Sequence, residues 1–213
     1  MAIAVHSAAT HHRELRSSII ALIRPSLPEE DQVGNFQRQT AASEDARCDQ
    51  AHSSPGFTGF VPFKDLATAD VPAAPGVYVV LRADDEPPVF LEHSPAGWFK
   101  ERNPSVTAAQ LANAWIDAAS VLYIGKAGAG ISGRRGLKKR LTEYRRHGAG
   151  EKIGHWSGRY VWQLAGGGDL LVAWKETPGV GPETVEAELI GDFMWQYGAR
   201  PFANRKIGKA ATQ

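Results

Sequence analysis

The chain has one cysteine, Cys48, in 213 residues. That excludes an internal disulfide and a zinc site built from several cysteines, and it fits a reducing compartment. No apolar run approaches the roughly 20 residues a membrane helix needs. No basic start leads into a long apolar stretch, so no signal peptide is expected. The expectation is a soluble cytoplasmic protein with no membrane partner. There is no excess of charge either: 24 Lys and Arg stand against 23 Asp and Glu, for a net charge of +1. Any affinity for a polyanion must come from local clustering. Residues 1–55 also lack Trp and Tyr, while holding four of the seven histidines.

That first segment is rich in Ala, Ser, Gln and Asp. Apart from a possible amphipathic helix from Arg13 to Ile23, it reads as a weakly ordered extension. His11 and His12 have no partner ligands at useful spacing and read as a solvated tail. The texture changes at Phe57, and residues 56–213 read as one domain. GVYVVLR, from Gly76, reads as a buried strand and SVLYIG, ending at Gly125, as a second. Residues 107–118 read as a helix with Leu111 and Trp115 on one face. GLKKRLTEYRRHG reads as a helix ended by glycine. RYVWQL and LLVAWKE read as a strand pair around AGGGD. Pro182 opens a last helix, ETVEAELIGDFMWQY, that stops at Gly198. The tail ARPFANRKIGKAATQ is basic and reads as fraying.

The stretch VLYIGKAGAG, Val121 to Gly130, puts glycines and a lysine straight after a strand, a pattern that suggests phosphate. A Walker A loop is excluded twice, because position 120 is Ser and Lys126 is followed by Ala127. Gly128, Gly130 and Gly133 match the weak dinucleotide spacing, but a basic helix follows and no acid ends the next strand. The basic helix carries Arg134, Arg135, Lys138, Lys139, Arg140, Arg145 and Arg146, opposed in sequence only by Glu143. A solvated helix face is the plain explanation. The concentration of charge in a neutral chain, beside backbone N–H groups expected to be free after the glycines, points instead to a nucleic-acid backbone. Leu137, Leu141 and Tyr144 mark the buried face, and Arg140 leans towards it.

In the last helix an apolar stripe of Val185, Leu189, Ile190, Phe193, Met194 and Tyr197 surrounds Glu186. Glu183 lies at its edge and Glu188 opposite it. A carboxylate turned towards a core must be paired or hold a metal. The alternatives are a buried salt bridge, with Arg140 as the candidate partner, or a metal ligand in a wet cleft.

Together the motifs resemble the GIY-YIG nuclease family. Gly76-Val77-Tyr78 and Tyr123-Ile124-Gly125 resemble its two signature strands. Lys126 and LKKRLTEY resemble the N-terminal domain of the excinuclease C proteins. VEAELI and RPFAN resemble the glutamate helix and closing asparagine. The resemblance spans Gly76 to Asn204. It implies an α+β fold with a small, mainly antiparallel sheet flanked by helices, and a metal-dependent endonuclease acting on DNA rather than RNA. It also implies roles for seven residues. Tyr78 and Tyr123 line the site, and one of them relays or accepts the proton of the attacking water. Lys126 supports activation, Arg140 and Tyr144 stand near the scissile phosphate, Glu186 holds one Mg2+ or Mn2+, and Asn204 braces the site. Arg134, Arg135, Lys138, Lys139, Arg145 and Arg146 are the expected DNA contacts.

The chain departs from the family in one main respect: 44 residues separate Tyr78 from Tyr123. The segment at about 84–119 is an insertion, whose candidate roles are substrate recognition, dimer formation or cover for a sheet edge. Of the two histidines after the basic helix, His147 and His155, either can assist a proton transfer, though polar surface is the commoner role. The rival from another class is a nucleic-acid-binding module of the same fold without catalysis, with nucleotide binding at the glycine loop a distant third.

Overall fold

Four strands form one antiparallel sheet in the order β1-β4-β2-β3. They are β1 (Thr58–Pro62), β2 (Gly76–Leu81), β3 (Val121–Ala127) and β4 (Leu171–Glu176). This computed structural model describes residues 56–205. The expected extension, its Arg13–Ile23 helix, and residues 206–213 lie outside the described residues. The fold is α+β, and no helix among the described residues is long and apolar enough to cross a membrane.

β2 is buried at every position because the sheet is covered on both faces. That is why GVYVVL reads as an uninterrupted apolar run rather than an alternating one. Alternation is still present in what each residue meets. Tyr78 and Val80 face α2 (Leu137–Gly148), while Val77, Val79 and Leu81 face α3 (Pro182–Tyr197). Leu137, Leu141 and Tyr144 form the apolar stripe of α2, and Leu189, Ile190 and Phe193 that of α3. Pro182 opens α3 at its first turn. Gly198 closes it at a φ of 67°, in the left-handed region that suits glycine.

Two expected elements differ. RYVWQL is not a strand: Trp156–Gln163 forms a kinked 3-10 segment, and the expected hairpin around AGGGD is absent. Its residues are buried on all sides, a pattern that does not distinguish a strand from a compact turn. The helix at 107–118 shrinks to α1 (Ala108–Ala112), opened by a Thr107/Gln110 capping box. Trp115 instead packs edge-on against Phe202 at 5.2 Å.

The insertion is tied to the body by buried Gln163. Its amide donates to the carbonyls of Leu91 and Val106 and accepts from the Val106 N–H at 2.9 Å. The start of the tail does not fray. The Ala203 N–H donates to the Leu122 carbonyl at 2.8 Å, and Pro201, Phe202 and Ala203 are buried. The open edge of β3 is thereby covered, with the insertion packed outside it through Phe90 and Trp115.

Candidate active site

Tyr78 from β2, Tyr123 from β3 and Tyr144 from α2 meet on the α2 face, with ring centroids 5.7 to 6.3 Å apart. Tyr78 occupies the space where a side chain on Gly125, its cross-strand partner, would stand: a Cβ there would lie 2.5 Å from the Tyr78 ring. The glycine of Tyr-Ile-Gly thus admits the tyrosine opposite it. His155 completes the cluster. It stacks on Tyr144 at 3.6 Å and shares a 3.0 Å hydrogen bond between its Nε2 and the Tyr78 hydroxyl.

His147 and His155 are both fully buried, which corrects the expectation of polar surface for either. Burial holds the His155 pKa well below the usual value, and the nearby Arg140 cation lowers it further. The ring is therefore neutral. Its Nδ1 has no hydrogen-bond partner among the described residues. The tautomer with the proton on Nε2 leaves only an acceptor unpaired, and it frees the Tyr78 hydroxyl hydrogen to point elsewhere.

Burial pushes the Tyr78 pKa well up, the neighbouring Tyr123 adds to the rise, and Arg140 opposes it. Tyr123 is raised for the same first reason; a 3.2 Å hydrogen bond to the Ser157 hydroxyl and the Arg140 charge pull against it, and Glu186 pushes with it. At neutral pH both side chains are phenols and hydrogen-bond donors. Tyr144 is fully enclosed, as Tyr78 is. Its hydroxyl donates to the Gly158 carbonyl at 2.7 Å, so it buttresses His155 and the 3-10 segment from below the site. Ser157 is exposed and marks where the cluster meets solvent.

Glu186 is 9% exposed and is paired. Its partner is Lys126, at 2.7 Å, and not Arg140. Lys126 lies three residues beyond Tyr123 in β3, so the alternation of the strand turns it to the α3 face. Arg140 is half-buried beside the tyrosines, with Glu143 at 3.9 Å as its acid neighbour. Asn204 grips the edge of β3: it accepts from the Ile124 N–H at 2.9 Å and donates to the Ile124 carbonyl at 2.8 Å.

Among the described residues no three His, Cys, Asp or Glu side chains converge. Glu186 alone suits a hard cation such as Mg2+, which keeps several waters and takes one or two carboxylates together with substrate phosphate oxygens. Glu183, one turn earlier on α3, is half-buried on the same side.

The outer basic residues divide. Arg134, Lys138 and Lys139 are exposed. Arg135 pairs with Glu143 at 2.6 Å, and Arg146 bonds both oxygens of Glu151 at 2.8 and 2.9 Å, an opposing acid the sequence did not reveal. Arg145 lines a separate recess of about 370 Å³ with Phe63, Lys64 and Trp162. The N-terminus of α2 is not open to an anion as expected. The N–H groups of Leu137 and Lys138 donate to the carbonyls of Ala74 and Pro72 at 3.0 and 2.9 Å. Ser157 went unassigned in the sequence because it sits in irregular chain, and His155 was named there without its tie to the tyrosines. The one available signal is Gly158, where a side chain would collide with the Tyr144 hydroxyl. Comparison with protein-family models, with curated proteins and with solved structures finds no match to this chain.

Proposed function

We propose that the protein is a metal-dependent endonuclease of the GIY-YIG type that hydrolyses phosphodiester bonds in DNA. The observation that carries this is convergence. Tyr78, Tyr123 and Arg140, from three elements, meet on the α2 face, and the Lys126–Glu186 pair on the α3 face acts electrostatically on Tyr123. A module that only binds nucleic acid needs basic side chains; it does not need Glu186 facing inward.

In this proposal Arg140 holds a non-bridging oxygen of the scissile phosphate and stabilises the charge that develops there. The hydroxyls of Tyr78 and Tyr123 orient the attacking water. His155 fixes the Tyr78 ring, and Tyr144 fixes His155. Lys126 balances the Glu186 charge and holds its carboxylate in place. Glu186 would hold a divalent cation, which when bound supplies charge stabilisation to the phosphate and the leaving oxygen. Burial opposes a tyrosinate, so a tyrosine acting as base requires the cations of the loaded site to overcome that rise. Two phenols and an arginine side by side suit the arrangement to phosphate chemistry without a nucleophilic side chain.

Supercoiled plasmid incubated with Mg2+ or Mn2+ tests the proposal. Nicking by the wild type is expected. Duplex binding with no nicking under either metal would replace it with the non-catalytic binding module.

A further inference from the structure

Arg82 and Arg159 are buried to a similar degree, 6% and 8% exposed, in different surroundings. Arg82 donates to the carbonyls of Ala119, at 3.1 Å, and of Asp117, and lies 3.4 Å from the Asp85 carboxylate. Arg159 makes one long contact, from Nη1 to the Trp156 carbonyl at 3.5 Å, and its buried Nε has no acceptor among the described residues. No carboxylate among those residues pairs with it. A second cation stands close instead. The Arg159 guanidinium lies 4.3 Å from the Trp156 ring and 5.2 Å from the Tyr160 ring, and the Arg205 guanidinium lies 4.8 Å from that same Tyr160 ring. Burial first, and then the Arg205 charge, lower the Arg159 pKa to about 10.

Two arginines held on aromatic faces, with no acid partner among the described residues, offer donors in a fork geometry that matches phosphate. Their place in the chain ties them to the site. Arg159 is two residues from Ser157, which bonds Tyr123, and Arg205 follows Asn204, which grips Ile124. The outer face of α2 is less available than its charge suggests, since Arg135 and Arg146 are paired and the first amides of the helix are taken.

We infer that Arg159 and Arg205 form a second anion site, which takes a backbone phosphate of DNA flanking the one at Arg140. The strand then crosses the 3-10 segment at Ser157 instead of following α2 alone. This rests on the proposed nuclease function.

The test is fluorescence anisotropy with a short labelled DNA duplex in EDTA, using the full chain as wild type, Arg205→Gln and Arg159→Lys. Melting temperatures are recorded alongside. Arg205 is exposed, so its replacement leaves the fold intact. Arg205→Gln is expected to weaken binding about 3- to 10-fold and to reduce the slope of log affinity against log salt by about 0.9, the share of one phosphate contact. Arg159→Lys keeps the charge and loses the fork, and is expected to weaken binding with little change in slope. Wild-type affinity and slope in both variants would overturn the inference, as would failure of the wild type to bind duplex. A lowered melting temperature in Arg205→Gln with unchanged binding would also overturn it, by pointing to acids of residues 1–55 as the true partners. Plasmid nicking on the same preparations separates the two proposals. Binding that depends on Arg205 without nicking keeps the anion site and removes catalysis; nicking with binding indifferent to Arg205 does the reverse.

Discussion

The two faces of the sheet are built from the same strands and do different work. On the α3 face Val77, Val79, Leu81 and Ile124 meet Leu189, Ile190 and Phe193, a packing of aliphatic and aromatic hydrocarbon. On the α2 face the alternate positions, Tyr78 and Tyr123, meet Tyr144, His155 and Trp162. That face carries hydroxyls and ring nitrogens within its buried layer, several without full hydrogen bonding. A protein that needed only a core would not keep them, because each unpaired buried polar group costs about 1–3 kcal/mol. The α3 face, apart from the Lys126–Glu186 pair, supplies stability, and the α2 face gives up some of it to hold a polar cluster beside Arg140.

Substitutions that separate the faces test this. The largest stability loss is expected from Ile190→Ala, whose side chain is fully enclosed: about 2–5 kcal/mol in chemical unfolding, with duplex affinity unchanged. If that variant loses DNA binding while staying folded, the division fails. Lys126→Met leaves Glu186 without its partner. Because the pair is partly solvated, the expected loss is about 1–2 kcal/mol, together with loss of plasmid nicking.

The histidines give a pH test with a definite sign. Burial lowers the pKa of both His147 and His155, so between the lowered value and the ordinary one the unfolded chain binds protons that the folded chain does not. Stability is therefore present above about pH 6.5 and falls below it, by up to about 1.4 kcal/mol per pH unit for each ring. Melting temperature is expected to drop from pH 7 to pH 5, and His147→Gln to flatten that drop. The smallest effect is expected from Tyr144→Phe, which leaves the Gly158 carbonyl without its donor at a cost of about 1 kcal/mol. Nicking by that variant should stay within about tenfold of the wild type if Tyr144 acts only by support.

The sequence displayed what periodicity and end signals can carry. The runs at Gly76 and Val121, the stripes of Leu137 and Leu189, and the stops at Pro182 and Gly198 all announce their elements. The coarse α+β arrangement followed from these. β1 was hidden because TGFVP bends at a bulge between Gly59 and Val61, which removes alternation. The 3-10 segment was hidden because a buried run of Tyr, Val and Trp looks the same in a strand. Helix α1 was overstated because its apolar spacing continues to Trp115, whose ring is drawn away to Phe202. Lys126 and Glu186 were each visible, but their pairing was not, since 59 residues separate them in the chain. Arg159 and Arg205 gave no signal at all, because a cation without an acid partner among the described residues is recognised only by what surrounds it.

In the proposed mechanism the inward carboxylate on α3 serves chemistry on phosphate. The direct measurement compares plasmid nicking by wild type and Glu186→Ala in Mg2+ or Mn2+, with duplex affinity measured on both. Nicking is expected to fall on the order of 10³-fold, about 4 kcal/mol of barrier, with affinity within about tenfold. Nicking by Glu186→Ala at the wild-type rate would contradict it.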